Sequence, residues 1–262
     1  MSRISDTEFQ LIKEVAVILA MAFTLILQLI APYKKDRQAL FANWKVNFPL
    51  AALNAVLMGW LCGGCAFAVG QWTEQQNFGL TNWLGLSLPA QIVFGVLALD
   101  LTSYAWHRAN HNLSWLWRFH AVHHTDAFFD ASTAVRFHPG ELLISLPVRM
   151  TVVAALGIPI VGILTFEVIF AASNFFEHTN VALGGRLERL MERVVVTPAI
   201  HRKHHSRKLN ELNANYSTIF SVWDRLFGSY LQSSSEEVIA VGLPGDRPAE
   251  TNVWALLVRP LK

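Results

Sequence analysis

The chain is short of charged residues. Only 15% of its 262 residues are charged, whereas a soluble domain usually carries roughly a quarter. Between Lys45 and Arg108 there is no lysine or arginine, and the only acids are Glu74 and Asp100. A transmembrane helix needs about 20 apolar residues, so this stretch is long enough for two. The net charge of +2 gives no case for nucleic-acid binding, and the composition indicates a membrane protein.

Cysteine is almost absent. The two cysteines, Cys62 and Cys65, form a CGGC motif inside an apolar run. A CxxC motif can be a redox pair or half of a zinc site, but no partner ligands lie near this one in the sequence. We interpret the motif as small residues that pack a membrane helix.

Three apolar runs predict three membrane helices, at residues 11–31, 48–69 and 83–106. The first is too long for a cleaved signal peptide, and the YKKDRQ that follows it is typical of a stop-transfer flank. Residues 142–176 would form a helix of ~52 Å, too long for one pass, and Gly157 with Pro159 offers a break. We predict a short hairpin that dips into the membrane and returns, with Arg149 and Glu167 facing protein or water.

The positive charges predict the topology. The loop after the first helix holds Lys34, Lys35, Arg37 and Lys45, whereas residues 70–82 hold no basic residue. Because basic loops favour the cytoplasmic side, everything from His107 onward is expected in the cytoplasm. The predicted fold is all-α: about three full transmembrane helices, the hairpin and a cytosolic helical cap. No KDEL-type retention signal is visible, and the compact chain favours a bacterial inner membrane over the endoplasmic reticulum.

Histidine is confined to one part of the chain. None of the ten histidines occurs in the first 106 residues or the last 57. They fall into HRANH, HAVHH, RFHP, NFFEH and HRKHH, and residues three or four apart share one face of a helix. Nine of them are the candidate metal ligands: His107, His111, His120, His123, His124, His178, His201, His204 and His205.

Nine imidazoles exceed what one metal can bind, so they indicate two metals. Imidazole without thiolate suits iron, zinc, copper or nickel, and the absence of cysteine argues against a structural zinc site. No HExxH metalloprotease motif occurs. The histidines are too crowded for a bis-histidine haem within the spans. A two-zinc hydrolase and a metal transporter stay open as alternatives.

Other polar residues are candidates for supporting the centre. Asp100 and Tyr104 precede His107 by seven and three residues, so both can share its helix face. Asp100 could orient a ligand imidazole or bond to a neighbouring span. Asn174, four residues before His178, could act through water. Five further acids cannot be ranked from the sequence: Asp126, Glu141, Glu167, Glu177 and Asp224.

The ordered motifs resemble those of the fatty acid hydroxylase and sterol desaturase superfamily of membrane di-iron oxygenases. The similarity rests on HRANH, HAVHH, RFHPGE, NFFEH, HRKHH and SVWDRLFGSY in that order. It divides the chain into N-terminal transmembrane helices at residues 1–82 and a hydroxylase-like domain at residues 83–262. Within this family pattern His138 is not an established metal ligand, so it is expected near the centre or the substrate channel.

The resemblance implies two irons held by the nine histidines, with O2 as a co-substrate. The expected reaction is hydroxylation, or desaturation, of an unactivated C–H bond of a lipid such as a fatty acyl chain or sterol. A lipid C–H bond offers no acidic proton and no leaving group, so a redox metal must carry the chemistry. With no haem or flavin domain recognisable, an external electron donor, supplied by a separate redox partner, is expected. Four aromatic residues are expected to line the lipid entrance or to anchor the chain at the interface: Trp115, Trp117, Phe128 and Phe129.

Overall fold

The computed structural model describes residues 4–62, 64–232, 239–245 and 251–262. The loose connection that the sequence predicts around Ser233 lies outside these residues. The described part is helical and has no strand, only isolated β-bridges such as Pro32 with Val181. Its helices are α1 Asp6–Ile30, α2 Arg37–Cys62, α3 Cys65–Gln76, α4 Leu80–Trp83, α5 Leu88–Asn112, α6 Ser114–His124, α7 Pro139–Leu156, α8 Ile160–Glu177, α9 Gly185–Met191, α10 Pro198–His204, α11 Leu209–Leu212, α12 Val222–Leu226 and α13 Val253–Val258.

The apolar runs form the long helices. By length and composition, the described residues contain five stretches able to cross a membrane: α1, the stretch Arg37–Trp83, α5, α7 and α8. The first three correspond to the three predicted spans, although each begins or ends several residues away from the predicted bounds. The all-helical membrane fold is confirmed.

The CGGC motif lies at a break in the second span. Helix α2 ends at Cys62, and α3 begins at Cys65 after Gly64, whose φ of 80° falls in the left-handed region that favours glycine. Both cysteines are free thiols. The small residues therefore lie at a break in the helix, whereas the sequence predicts one continuous helix over residues 48–69.

The predicted hairpin consists of α7 and α8, and it is longer than a short dip. Its break falls at Gly157, with a φ of 67°, and Pro159, which caps α8. Each arm has 18 residues, about 27 Å at 1.5 Å per residue. The tip packs on the turn before α4, where a Cβ added to Gly79 would lie 2.3 Å from the Gly157 nitrogen. Thr81 also donates a hydrogen bond to the Gly157 carbonyl, at 2.8 Å. The hairpin therefore reaches the end of the bundle opposite the histidines.

The apolar core lies between the spans, and the histidine end is tied to them by buried polar groups. Core residues of α5, α7 and α8 include Leu99, Val153 and Phe166, all nearly fully buried. At the histidine end, a 3-10 turn at Ala131–Val135 is fixed by Asp130, which accepts hydrogen bonds from Gln28, Asn43 and Trp44 of α1 and α2. Burial and the neighbouring Asp126 raise the pKa of Asp130. Sequence-distant helices thus converge on the cap through hydrogen bonds.

Candidate metal centre

Four segments bring the nine candidate histidines together at one end of the bundle. The last turns of α5 carry the first pair, α6 carries the next three, His178 follows α8, and α10 with its C-terminal residue carries the last three. The HxxHH spacing places all three imidazoles of α6 in the interior, and all three are buried.

The histidines divide into two groups. In each group, one ring nitrogen per residue lies within 4.8 Å of all the others. The five-histidine group contains His107, His111, His120, His124 and His204. The four-histidine group contains His123, His178, His201 and His205. This division agrees with the expectation of two metals, although each HxxHH motif contributes to both groups.

The closest nitrogen pairs have the spacing of ligands on one ion. The Nε2 atoms of His178 and His201 lie 3.0 Å apart, those of His123 and His178 lie 3.1 Å apart, and those of His120 and His124 lie 3.3 Å apart. Two imidazole nitrogens bound at ~2.1 Å to one metal come this close. A hydrogen bond between two neutral imidazoles would explain one such close pair, but not several close pairs in one cluster.

Hydrogen bonds outside the centre fix which nitrogen faces it. The Nδ1 atoms of His107, His178 and His204 each lie 2.7 Å from a backbone carbonyl, those of Tyr216, Asn174 and Ala214 respectively. A carbonyl only accepts, so each of these Nδ1 atoms carries the proton and Nε2 keeps its lone pair. Metal-binding histidines are usually oriented in this way.

Many of the remaining ring nitrogens have no partner. Seven of the nine histidines have at least one buried ring nitrogen without a hydrogen-bond partner: His107, His111, His123, His124, His201, His204 and His205. An unpaired buried polar atom costs about 1–3 kcal/mol. Bound metal ions would explain so many unpaired nitrogens in one place, and the nine histidines fit two such ions.

Burial also keeps the imidazoles neutral. Desolvation lowers the pKa of His178 and of His204 to about 3. It lowers the pKa of His123, His124, His201 and His205 as well, and neighbouring imidazoles lower it further. Neutral imidazole is the form that binds metal, so at neutral pH these six imidazoles are in the protonation state that ligands require.

Two carboxylates adjoin the centre, and the sequence did not rank them. Glu141 accepts hydrogen bonds from Asn110, at 3.0 Å, and from Nδ1 of His120, at 2.8 Å. Glu177 is 1% exposed, and its oxygens lie 3.8 Å from Nδ1 of His178 and 3.7 Å from Nδ1 of His201. Their positions in the sequence could have identified them, because Glu177 directly precedes His178 and Glu141 follows the RFHPG motif.

Asp100 bonds to a loop, and within the described residues its carboxylate accepts no hydrogen bond from a histidine. Its carboxylate accepts hydrogen bonds from the backbone N–H groups of Ile219 and Phe220 and from Nε1 of Trp223, at 3.2, 3.1 and 2.7 Å. This loop contains the SVWDRLFGSY motif and follows Tyr216, whose carbonyl orients His107. Asp100 is therefore placed to position His107 indirectly, by holding the loop.

Tyr104 faces the same loop. Its hydroxyl lies 2.8 Å from Oγ of Ser229 and accepts a hydrogen bond from Arg108, and its ring stacks on Phe227. Asp224 completes the loop by accepting hydrogen bonds from the backbone N–H groups of Tyr216 and Ser217.

Asn174 and His138 both have direct protein partners. Asn174 supports His178 through its backbone carbonyl, and its side chain donates to the Ala134 carbonyl. His138 lies outside both histidine groups: it caps α7 by accepting from Gly140, and its Nε2 lies 3.1 Å from the Leu257 carbonyl.

Aromatic rings pack directly on the histidines. Phe137 stacks on His123 with ring centroids 4.6 Å apart, and Phe129 stacks on His178 at 5.4 Å. Of the aromatic residues expected at an entrance or interface, Trp117 contacts His111 and His124, at 4.9 and 5.5 Å. Phe128 is buried, whereas Trp115 is 53% exposed. Phe129 and Trp117 are thus walls of the centre.

A cavity of about 150 Å³ connects the histidines to the interior of the hairpin. It lies between α5, α7 and α8, with five of the histidines at one end. Most of the lining surface is apolar, with contributions from Trp106, Phe137, Leu142, Val148 and Phe170, and polar residues such as Ser103, Ser145 and Asn174 also line it. A second cavity, lined by other residues, reaches His111 and Trp117. The histidines are thus accessible through an apolar cavity and through a second, more polar cavity.

Comparison of the sequence with those of known proteins identifies relatives of this chain. The chain is 30% identical to an ornithine lipid hydroxylase of Rhizobium tropici over 59% of this chain and 46% of the relative. It is 28% identical to an alkylglycerol monooxygenase of Danio rerio over 56% of this chain and 32% of the relative. It is also 28% identical to a human cholesterol 25-hydroxylase over 57% of this chain and 54% of the relative.

The matches thus span between a third and about half of the length of these relatives. No solved structure matches the chain. The profile of the fatty acid hydroxylase family matches residues 92–229, more than half of the chain and the part that carries every histidine. The chain belongs to the fatty acid hydroxylase family.

Proposed function

We propose that this protein is a membrane-bound, iron-dependent oxygenase that hydroxylates, or desaturates, an unactivated C–H bond of a lipid. The observation that carries the proposal is the pair of buried histidine groups at the end of an apolar cavity between membrane helices. The hydroxylase and monooxygenase names of the relatives support the reaction class.

The proposed cofactor is a pair of iron ions, one in each histidine group. Imidazole ligands suit iron, and neither group contains thiolate. When bound, the irons would activate O2 for reaction with a bond that acid and base groups alone cannot attack. The stacked rings of Phe137 and Phe129 keep bulk water from the four-histidine group.

The residues around the histidines have positioning roles in this proposal. Asp100 and Tyr104 hold the loop whose Tyr216 carbonyl orients His107, and Asn174 orients His178. Glu177 places a carboxylate beside two ligands of the same group, where its charge offsets that of a cation. None of these side chains needs to touch the substrate to influence the reaction.

The reaction also requires a source of electrons. Insertion of one oxygen atom of O2 into a C–H bond consumes two external electrons, so we propose a separate redox partner. The second cavity, which reaches His111 and Trp117, offers a route to the five-histidine group that does not pass through the lipid cavity. No role in nucleic-acid binding is proposed.

Two other functions predict different results. A two-zinc hydrolase would use the metals to activate water, and carboxylate ligands would be expected, whereas both groups contain only histidine. A metal transporter would bind its ion near the middle of the spans, whereas these groups lie at one end of the bundle. The oxygenase accounts better for both observations.

The first test is metal analysis of the detergent-purified protein produced with iron available. We expect about two irons per chain, and oxygen consumption when lipid and a reductant are added. Zinc as the only metal, with no oxygen uptake after reconstitution with iron, would support the hydrolase. Absence of any bound metal would contradict both enzyme proposals.

The proposed topology places the histidine end in the cytoplasm, and we favour a bacterial inner membrane. A reporter fused after Lys262 should then be active only if the cytoplasm is its working compartment. Export of that reporter would contradict the topology.

A further inference from the structure

One ion pair inside the hairpin takes no part in the metal centre. Nη1 of Arg149, on α7, donates to Oε1 of Glu167, on α8, at 2.8 Å, and the two side chains are 29% and 19% exposed. Each residue lies eight positions from the hairpin tip at Gly157 and Pro159, about 12 Å along its helix. Charged residues this deep in a span are costly and usually mark a functional cavity.

Arg149 lines the cavity that begins at the histidines, at its far end, and Glu167 adjoins the cavity through its bond to Arg149. One face of α7 lines this cavity from Glu141, which contacts His120, through Ser145 to Arg149. Arg149 follows Glu141 by eight positions, which corresponds to about 12 Å along the helix. A lipid with its reacting carbon at the histidines would therefore reach the ion pair with a part of its chain about 12 Å away.

The ion pair has unused hydrogen-bonding capacity. A guanidinium carries five N–H donors, and within the described part of the chain only the bond to Glu167 uses one. The rings of Phe166 and Phe170 hold the guanidinium in place, with centroid distances of 5.7 and 5.6 Å. Within the described residues, the second oxygen of Glu167 receives no hydrogen bond and can accept one. Donors and an acceptor therefore lie side by side next to the cavity.

We propose that Arg149 and Glu167 bind an uncharged polar group of the lipid that both donates and accepts hydrogen bonds, namely a hydroxyl or a secondary amide. This inference rests on the proposed function, because it assumes that the cavity receives the lipid substrate. An ester offers only acceptors and would leave the carboxylate unmatched. A charged headgroup would have to enter far into the apolar part of the bundle. Binding at this point selects which carbon of the lipid reaches the histidines.

The experiment measures equilibrium binding of three radiolabelled lipids with equal chain length: an N-alkyl amide, an alcohol and a methyl ester. The protein is used in detergent, both iron-loaded and iron-free. The amide and the alcohol should bind at least about tenfold more tightly than the ester, as expected for hydrogen bonds to charged groups. Glu167→Gln should reduce this preference to less than about threefold by weakening amide and alcohol binding, while ester binding is unchanged. Arg149→Met should weaken binding of all three lipids, because the ester carbonyl also accepts from the guanidinium.

Arg186→Met is the matched control, because Arg186 is exposed on α9 and should leave the preference intact. Arg149→Lys keeps the ion pair but loses the planar fork, so it tests the site with an intermediate lipid affinity if Arg149→Met does not fold. Equal binding of amide and ester by the natural protein, an unchanged preference in Glu167→Gln, or unchanged lipid affinity in Arg149→Met would overturn the proposal. Binding to iron-free protein separates the two ideas: intact lipid preference without oxidation by the iron-loaded protein would contradict the proposed function alone.

Discussion

The long helices and the helical cap at the histidine end of the bundle bury different kinds of residue. On the long helices apolar side chains are exposed, whereas the cap buries polar side chains. Helix α1 buries only Phe9, Thr24 and Gln28 among its 25 residues, and two of these are polar. Helix α6 buries six of its 11 residues, including His120, His123 and His124. In a soluble protein the apolar side chains would be inside.

The difference shows that one chain is adapted to two environments, the lipid around the long helices and the protein interior of the cap. Exposed apolar side chains such as Phe23, at 63%, and Trp60, at 82%, suit lipid tails. Polar groups are instead collected between the helices and the cap, where many of them form hydrogen bonds with other parts of the protein. Gln28 is the clearest example, since it donates to Asp130 and accepts from the backbone N–H of Ala131. The most apolar helix is thus attached to the cap by its most polar buried residue.

The largest effect should follow from removing a histidine of the cap. His204→Ala removes a ring whose Nδ1 is fixed by the Ala214 carbonyl and whose Nε2 faces the five-histidine group. We expect loss of one iron per chain and of all measurable oxygenase activity, while the protein still inserts in the membrane. Metal analysis of the purified variant checks this.

His138→Ala is the matched control, since His138 caps α7 outside both groups. It should keep its full metal content and lose only stability, by about 1 kcal/mol for a lost cap. Unchanged metal and turnover in His204→Ala would contradict its assignment as a ligand.

A slightly smaller effect is expected where the two regions join. Asp130→Leu removes the carboxylate that accepts from Gln28, Asn43 and Trp44. The buried Gln28 and the half-buried Trp44 lose this acceptor, whereas Asn43 keeps its bonds to Asp126 and Phe128. Each orphaned donor costs about 1–3 kcal/mol, so the thermal midpoint in detergent should fall strongly and the iron should be lost together with the fold. Asp36→Leu is the control: Asp36 is exposed and only caps α2 by accepting from the Ala39 N–H, so its loss should cost about 1 kcal/mol. If Asp130→Leu melted as the natural protein does, these hydrogen bonds would not hold the spans to the cap.

How much of this could be predicted from the sequence differs between the two regions. The spans follow from apolar length and the candidate ligand histidines from helical spacing, because both are local patterns. The role of Asp100 was not accessible, since its partners Ile219, Phe220 and Trp223 lie about 120 residues away in the chain. The same holds for Glu141, which reaches His120 only after the chain turns through the 3-10 segment. Long-range hydrogen bonds leave no periodic trace in a sequence.

Asp100→Asn should produce a moderate effect that is transmitted through the loop. An amide replaces a carboxylate that accepts three hydrogen bonds from the loop, so the Tyr216 carbonyl should no longer hold His107 in a fixed orientation. Partners of ligand histidines usually contribute 10–100-fold to metal affinity or activity, and we expect a loss of iron affinity of that order. Titration of the iron-free variant with ferrous iron measures it.

Thr102→Ala is the control, because Thr102 lies on the same helix and bonds only to the Ala98 carbonyl of that helix. Natural iron affinity in Asp100→Asn would mean that the loop holds its position without this carboxylate, and Asp100 would then be simply a helix-packing residue.

The smallest effect is expected on the lipid-facing surface. Trp60→Leu exchanges one exposed apolar side chain for another, and since lipid tails accept both, neither iron content nor lipid binding should change measurably. Trp60→Asp should instead hinder insertion, because a charge on a lipid-facing position costs about 2.5–3.5 kcal/mol in the middle of a span. Membrane yield and iron content of the two variants are compared. A large defect in Trp60→Leu would show that this face contacts protein, such as a second copy of the chain, and would remove the distinction between the two regions at that position.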